Sequence, residues 1–202
     1  MLPPLAVIFV GTLIGYFSLR PGPLAAADAG QAVVSAPPLS SVFTPEVQYW
    51  AGELRGWSAE AGLDPNLAAT VMQIESCGNP AARSSAGALG LFQVMPYHFS
   101  TFEDPYDPAT NARRGLAYLE DALSAAEGDA RLALAGYNGG LGAISAGELA
   151  WAAETERYAY WGSGIYADAS GGVGSSPRLE EWLSAGGRGL CTRADQQLGL
   201  AP

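Results

Sequence analysis

Three features of the chain predict a mainly α-helical fold. Helix-start signals recur at Thr44-Pro45, Asp64-Pro65, Asp107-Pro108 and Asp129, where a capping side chain precedes a first turn, often with proline where no N–H is needed. Apolar residues then repeat every three or four positions, the period of a helix with one buried face. No strand-rich region appears apart from the stretch Gly87 to Met95, whose glycine density predicts a short β-hairpin.

In chain order, Leu2 to Leu19 is an apolar run broken by Pro3, Pro4, Gly11 and Gly15. It has about the minimum length for crossing a bilayer. Ala25-Ala26-Ala27 comes next, a small-residue cleavage pattern. Residues 1–27 therefore read as a signal peptide or an uncleaved membrane anchor, and either one places the downstream domain outside the cytoplasm. Residues 28–43, rich in Ala, Pro and Ser without periodicity, read as a flexible linker. A helix opening at Thr44 carries Val47, Trp50, Ala51, Leu54 and Ala61 on one stripe and closes at Gly62, with Trp57 to the side of that stripe. The next spans Asp64 to Ser76 with Leu67, Val71 and Ile74 inward, and Gly78 and Pro80 end it.

Beyond the hairpin, His98 is the only histidine, read as a packing or surface residue because no partner motif accompanies it. From Asp107-Pro108 a helix turns Ala112, Leu116, Leu119 and Leu123 inward and stops at Gly128. Asp129 caps another, with Leu132, Leu134 and Ala135, ending at Tyr137-Asn138-Gly139-Gly140. Trp151 to Ala167 is rich in aromatics and reads mainly as core. A Gly/Ser loop at 170–176 leads to two short helices, Leu179 to Leu183 and Cys191 to Leu198. The expected organisation is a domain over 44–168 and a C-terminal extension over 169–202.

Composition narrows the function. Twenty acids face ten bases, for a net charge of −10. That balance excludes nucleic acid as a partner and adhesion to anionic lipid through charge. No metal-ligand cluster, nucleotide loop or nucleophile triad is present, so neither metal nor cofactor is expected. In an exported protein Cys77 and Cys191 are expected to form one disulfide, two buried thiols being the alternative.

Glu75 stands out. On a 3.6-residue period it stacks above Val71, Met72 and Ala68, a carboxylate on an apolar face. Burial disfavours its charged form, and a carboxyl that keeps its proton near neutrality is what general-acid catalysis needs. Gln93, a lone amide in an apolar segment, can point at a ligand.

The pattern running from Glu75 through Ser76, Asn79, Pro80, Ala82, Ser84, Gly87, Ala88, Gly90, Leu91, Gln93 and Met95 to Pro96 resembles the signature of the lytic transglycosylases, whose catalytic domain is lysozyme-like. Ala135 to Gly140 is similar to that family's A-Y-N-A-G motif, with Gly136 inserted and Gly139 replacing Ala. Glu154-Thr155 with Tyr158 is similar to its E-T-x-x-Y. The resemblance spans roughly Thr44 to Tyr160.

It implies a lysozyme-like helical domain with the hairpin beside an active-site cleft, acting on peptidoglycan glycan strands. Glu75 would be the single acid/base, cleaving between N-acetylmuramic acid and N-acetylglucosamine with formation of a 1,6-anhydro end. Ser84 and Gln93 would hold the acetamido group or the acid, Met95 would line the site, Tyr137 and Asn138 would contact the sugar or Glu75, and Glu154 would support the cleft. A hydrolytic muramidase and a non-catalytic wall-binding module remain the alternatives. A monomer is expected.

Overall fold

The computed structural model describes residues 38–200. The apolar run, the alanine triplet and the first part of the expected linker lie outside the described residues. Among the described residues no helix is long and apolar enough to cross a membrane.

The elements in order are α1 (Pro45–Gln48), α2 (Ala51–Ala61), α3 (Pro65–Glu75), α4 (Pro108–Ala125), α5 (Ala130–Gly139), α6 (Gly142–Ala146), α7 (Ala153–Ser170), α8 (Pro177–Trp182) and α9 (Arg188–Leu198). Three of the expected caps form: the Asp64, Asp107 and Asp129 carboxylates accept from the amides of Asn66, Thr110 and Leu132. Thr44 is different. Its amide and hydroxyl both donate to Gln73 Oε1, at 3.1 and 3.2 Å, tying α1 to α3.

Two expectations are corrected. The single helix from Thr44 to Gly62 is two helices, because Trp50 leaves helical geometry (φ −93°, ψ 9°). Its buried indole N–H donates to Gly78 O at 2.8 Å, a partner that a continuous helix need not offer. The hairpin is reduced to two isolated bridges, Arg83 with Leu89 and Leu89 with Val94. Positive φ at Gly90 and Gln93 (73° and 47°) turns the chain back too often for a ladder to extend.

One hydrophobic cluster joins the helices. Val47, Leu54, Leu67, Val71, Leu116, Leu119, Leu134 and Ile165 meet in it. Val42 and Phe43, from the end of the expected linker, belong to it, and so do Leu179, Trp182, Leu183 and Ala194 from the C-terminal segment. The described residues accordingly lie in one compact unit. α8 and α9 are joined through a π-turn at Leu183–Gly187.

Cys77 and Cys191 are bonded to each other, with 4.9 Å between their Cα atoms and a sequence separation of 114. The bridge fastens α9 to the chain just beyond α3. Buried Gln73 donates to both sulfurs, at 3.0 and 3.6 Å. Closing so long a loop in the unfolded chain is worth about 4–5 kcal/mol by loop-closure entropy. Urea unfolding of Cys191→Ser is therefore expected to show a loss of several kcal/mol (order of magnitude). In hydrogen exchange, α9 is expected to lose protection before α3. A variant unfolding within ~1 kcal/mol of wild type would show that the bridge adds little to the packing of α8 and α9.

Candidate active site

α3 is buried from Pro65 through Gln73, and Glu75 is its last residue, where the helix emerges from the core. A hollow of about 290 Å³ opens there, lined by Ile74, Glu75, Asn138, Glu154, Arg157, Tyr158 and Trp161. Its walls are the end of α3, the last turn of α5 and the first half of α7. Small residues let these helices close up. A Cβ on Gly139 would come within 2.8 Å of Thr155 Oγ1. The inserted Gly136 packs against Ile144 of α6, away from this hollow.

The Glu75 carboxyl is enclosed by protein and keeps only a partial opening to solvent. Burial raises its pKa from 4.5 to about 7, partly offset by the Tyr158 hydroxyl and assisted by the negative charge of Glu154. Tyr158 is itself buried; its hydroxyl lies near the Glu75 carboxyl and has no other partner among the described residues. Burial and the nearby Glu75 charge push the hydroxyls of Tyr158 and Tyr137 well above the ordinary tyrosine range. Both are therefore neutral donors.

Asn138 joins this hollow to a second one of about 330 Å³, lined by Gln93, Val94, Met95, Tyr97, His98, Gly115, Tyr118, Tyr137, Asn138, Gly139 and Gly140. Thr155 Oγ1 donates to Asn138 Oδ1 at 2.9 Å and fixes that amide. Tyr137 donates to Phe92 O at 2.8 Å and stacks, tilted, on Tyr118 with ring centroids 5.6 Å apart. His98 packs against Tyr118 at 5.3 Å, on the outer wall.

Of the residues singled out in the sequence, Glu75, Asn138 and Glu154 share the first hollow. Gln93, Met95, Tyr137 and Asn138 share the second. Ser84 lines neither; its hydroxyl accepts from the Ala88 amide at 2.9 Å and closes its own turn. Arg157, Tyr158 and Trp161 were not among the candidate site residues. They lie three, four and seven positions after Glu154, so the helical period of α7 carries the signal that places them on the Glu75 side. A larger hollow of about 590 Å³ lies between α2 and α4, lined by Trp57, Leu116 and exposed Glu60, Arg113 and Glu120. It contains no residue of the motif and no group enclosed as Glu75 is. Among the described residues, one group of three possible metal ligands comes together, Glu46, Cys77 and Cys191, and its sulfurs are already bonded to each other.

The described residues thus form a helical domain with one enclosed glutamate where α3, α5 and α7 meet. The family model for the transglycosylase SLT domain matches residues 54–158, and the chain belongs to that family. It is 38% identical over 115 residues to the transglycosylase of Enterobacteria phage PRD1, covering 53% of this chain and 41% of that one. It is 34% identical over 115 residues to membrane-bound lytic murein transglycosylase C of Salmonella typhimurium, covering 46% of this chain and 31% of that one. The matches thus span less than half the length of either relative. Among solved structures, an inactive Glu-to-Gln mutant of lytic transglycosylase Slt from Pseudomonas aeruginosa superposes with a TM-score of 0.50 at 25% identity, over 64% of this chain and 25% of that one.

The Glu75 environment also affects stability. The native state holds this proton more tightly than the unfolded chain does, so stability is full below pH 4.5 and falls as pH rises toward 7. Glu75→Gln has no charge to bury. Relative to wild type it is expected to be more stable at pH 8, by on the order of 2–3 kcal/mol, and to lose that advantage near pH 4. Thermal melts of both proteins at the two pH values check this; an equal gap at both would contradict it.

Proposed function

We propose that this chain is a peptidoglycan lytic transglycosylase, cleaving the β-1,4 bond between N-acetylmuramic acid and N-acetylglucosamine and leaving a 1,6-anhydro end, with Glu75 as its single acid/base. The observation that carries this reading is the enclosure of Glu75, whose pKa of about 7 keeps a substantial fraction protonated at neutral pH. Family membership supports the reaction class. So does the Pseudomonas aeruginosa relative, in which a Glu-to-Gln substitution gives an inactive protein.

Glu75 donates its proton to the glycosidic oxygen as the N-acetylglucosamine residue leaves. The 2-acetamido oxygen of the N-acetylmuramic acid supports C1 as that bond breaks. The 6-hydroxyl of the same sugar then bonds to C1, and its proton returns to the Glu75 carboxylate. No water is consumed and no second catalytic carboxylate is needed, because an attached nucleophile has a large effective concentration. Tyr158 lies against the carboxyl and stabilises its charged form between the two proton transfers. Asn138, held by Thr155, and Gln93, across the second hollow, are placed to hold the substrate amides. Met95 and Tyr137 supply apolar wall, and Glu154 supports the cleft through its charge beside Glu75.

The disulfide supports an extracytoplasmic location facing the wall. With it goes the organisation of residues 1–27 as signal peptide or anchor, followed by a linker that ends before Val42 and Phe43 join the core of a monomeric domain.

Three measurements on purified sacculi test the reading. Glu75→Gln is expected to lose at least about a hundredfold in cleavage while remaining folded. Wild-type activity is expected to fall as pH rises through about 7, where the donor proton is lost. Released muropeptides are expected to have the anhydro mass. Products heavier by one water would instead make this a muramidase, with Glu154, the other carboxylate at the Glu75 hollow, as the first candidate for a base. Binding without cleavage would leave a wall-binding module.

A further inference from the structure

We propose that Asn111 and Ser76, neither of which faces the cleft, are positioning residues that set Gln93 for substrate; this inference rests on the glycan-cleavage reading above. Gln93 lines the second hollow with φ 47°. A side-chain-bearing residue takes this left-handed conformation only where its surroundings hold it, and such residues gather at functional sites. The Gln93 side chain folds back on its own turn, donating to Gly90 O at 2.9 Å. Two groups outside the loop hold that turn from opposite sides.

Asn111, on α4, is fully buried. Its Oδ1 accepts from the Phe92 amide at 2.8 Å, and its Nδ2 donates to Leu89 O at 2.8 Å and to Pro105 O at 2.9 Å. All three bonds go to backbone, and two of them bracket the turn immediately before Gln93. Gly90 leaves room for that amide, since a Cβ there would overlap it. On the other side Ser76, also fully buried, donates to Leu91 O at 2.7 Å and accepts from the Gly78 amide at 3.1 Å. Ser76 is the residue after Glu75, so the acid and the turn that carries Gln93 share an anchor. The Phe92 backbone is held at its N–H by Asn111 and at its carbonyl by Tyr137.

If these residues act through Gln93, removing them costs what removing Gln93 costs, and no more once Gln93 is gone. The test is a double-mutant cycle on initial rates of sacculus cleavage with wild type, Asn111→Asp, Gln93→Ala and the double variant. Asn111→Asp keeps the size and the acceptor for Phe92 N–H but can no longer donate to both Leu89 O and Pro105 O. It is expected to lower kcat/KM by about tenfold, mainly through KM, and Gln93→Ala is expected to do the same. The double variant is expected to fall within about twofold of Gln93→Ala alone. If Asn111→Asp does not fold, Ser76→Ala replaces it in the same cycle with the same expectation. Losses that multiply in the double variant, or an anchor variant indistinguishable from wild type, overturn the inference while leaving the glycan-cleavage reading intact. A wild type that cleaves nothing overturns both, and it shows in the control before any variant is compared.

Discussion

The burial of one carboxyl at the end of α3 is the constraint on which the rest of the site depends. Most helices that end at a surface leave their last side chains in water. Here α5 and α7 close over the terminus of α3, and the enclosure raises the Glu75 pKa to about 7. Burying a carboxyl is unfavourable for folding, and the molecule offsets this around it. The Tyr158 hydroxyl lies against the acid, and large side chains such as Phe92, Leu91 and Met72 fill the core beneath. Two residues after Glu75, the disulfide fixes the chain to α9.

Precision in the cleft comes from backbone anchoring more than from side chains that reach into it. The loop between Arg83 and Val94 has two bridge pairs and no ladder. Its shape is set by bonds from Asn111, Ser76 and Tyr137 to main-chain atoms of Leu89, Leu91 and Phe92. Residues from three separate parts of the helical scaffold therefore agree on one loop conformation. The segment just before α4 is held by charge as well: Glu103 pairs with Arg113 and Arg114 at 2.7 and 2.8 Å and accepts from the Ser100 amide at 2.8 Å. These bonds hold the Glu103 pKa down to about 2. That segment begins beside Tyr97 and His98, on the outer wall of the second hollow.

Much of the fold was legible because its signals are local. Asp64, Asp107 and Asp129 announce their helices within four residues, and the apolar stripes behind them point at one core. The motif pointed to Glu75, Gln93, Met95 and Asn138, and these residues line the two hollows. What failed depended on distant partners. Nothing near Trp50 in sequence shows that its N–H will find Gly78 O, so the break between α1 and α2 was invisible. Glycine density suggested a hairpin, but only the positive φ at Gln93, held by Asn111, shows why the strands stop. Asn111 itself sat in an amphipathic helix with no motif around it, and its partners are carbonyls and an amide outside that helix. On α7, the E-T-x-x-Y match already paired Tyr158 with Glu154, but reading the aromatics mainly as core hid the fact that Arg157 and Trp161 share that face.

The proposed chemistry turns on the protonation of one side chain, and that can be observed directly. With carboxyl-labelled glutamate in the folded protein, the Glu75 carbon resonance can be identified by its absence in Glu75→Gln and tracked by ¹³C NMR from about pH 4 to 9, a range that brackets both the ordinary and the raised value. A midpoint near 7, well separated from the exposed glutamates, is the result the enclosure requires. A midpoint near 4.5 would mean that Glu75 is solvated and ionised at neutral pH, and would contradict its role as the proton donor.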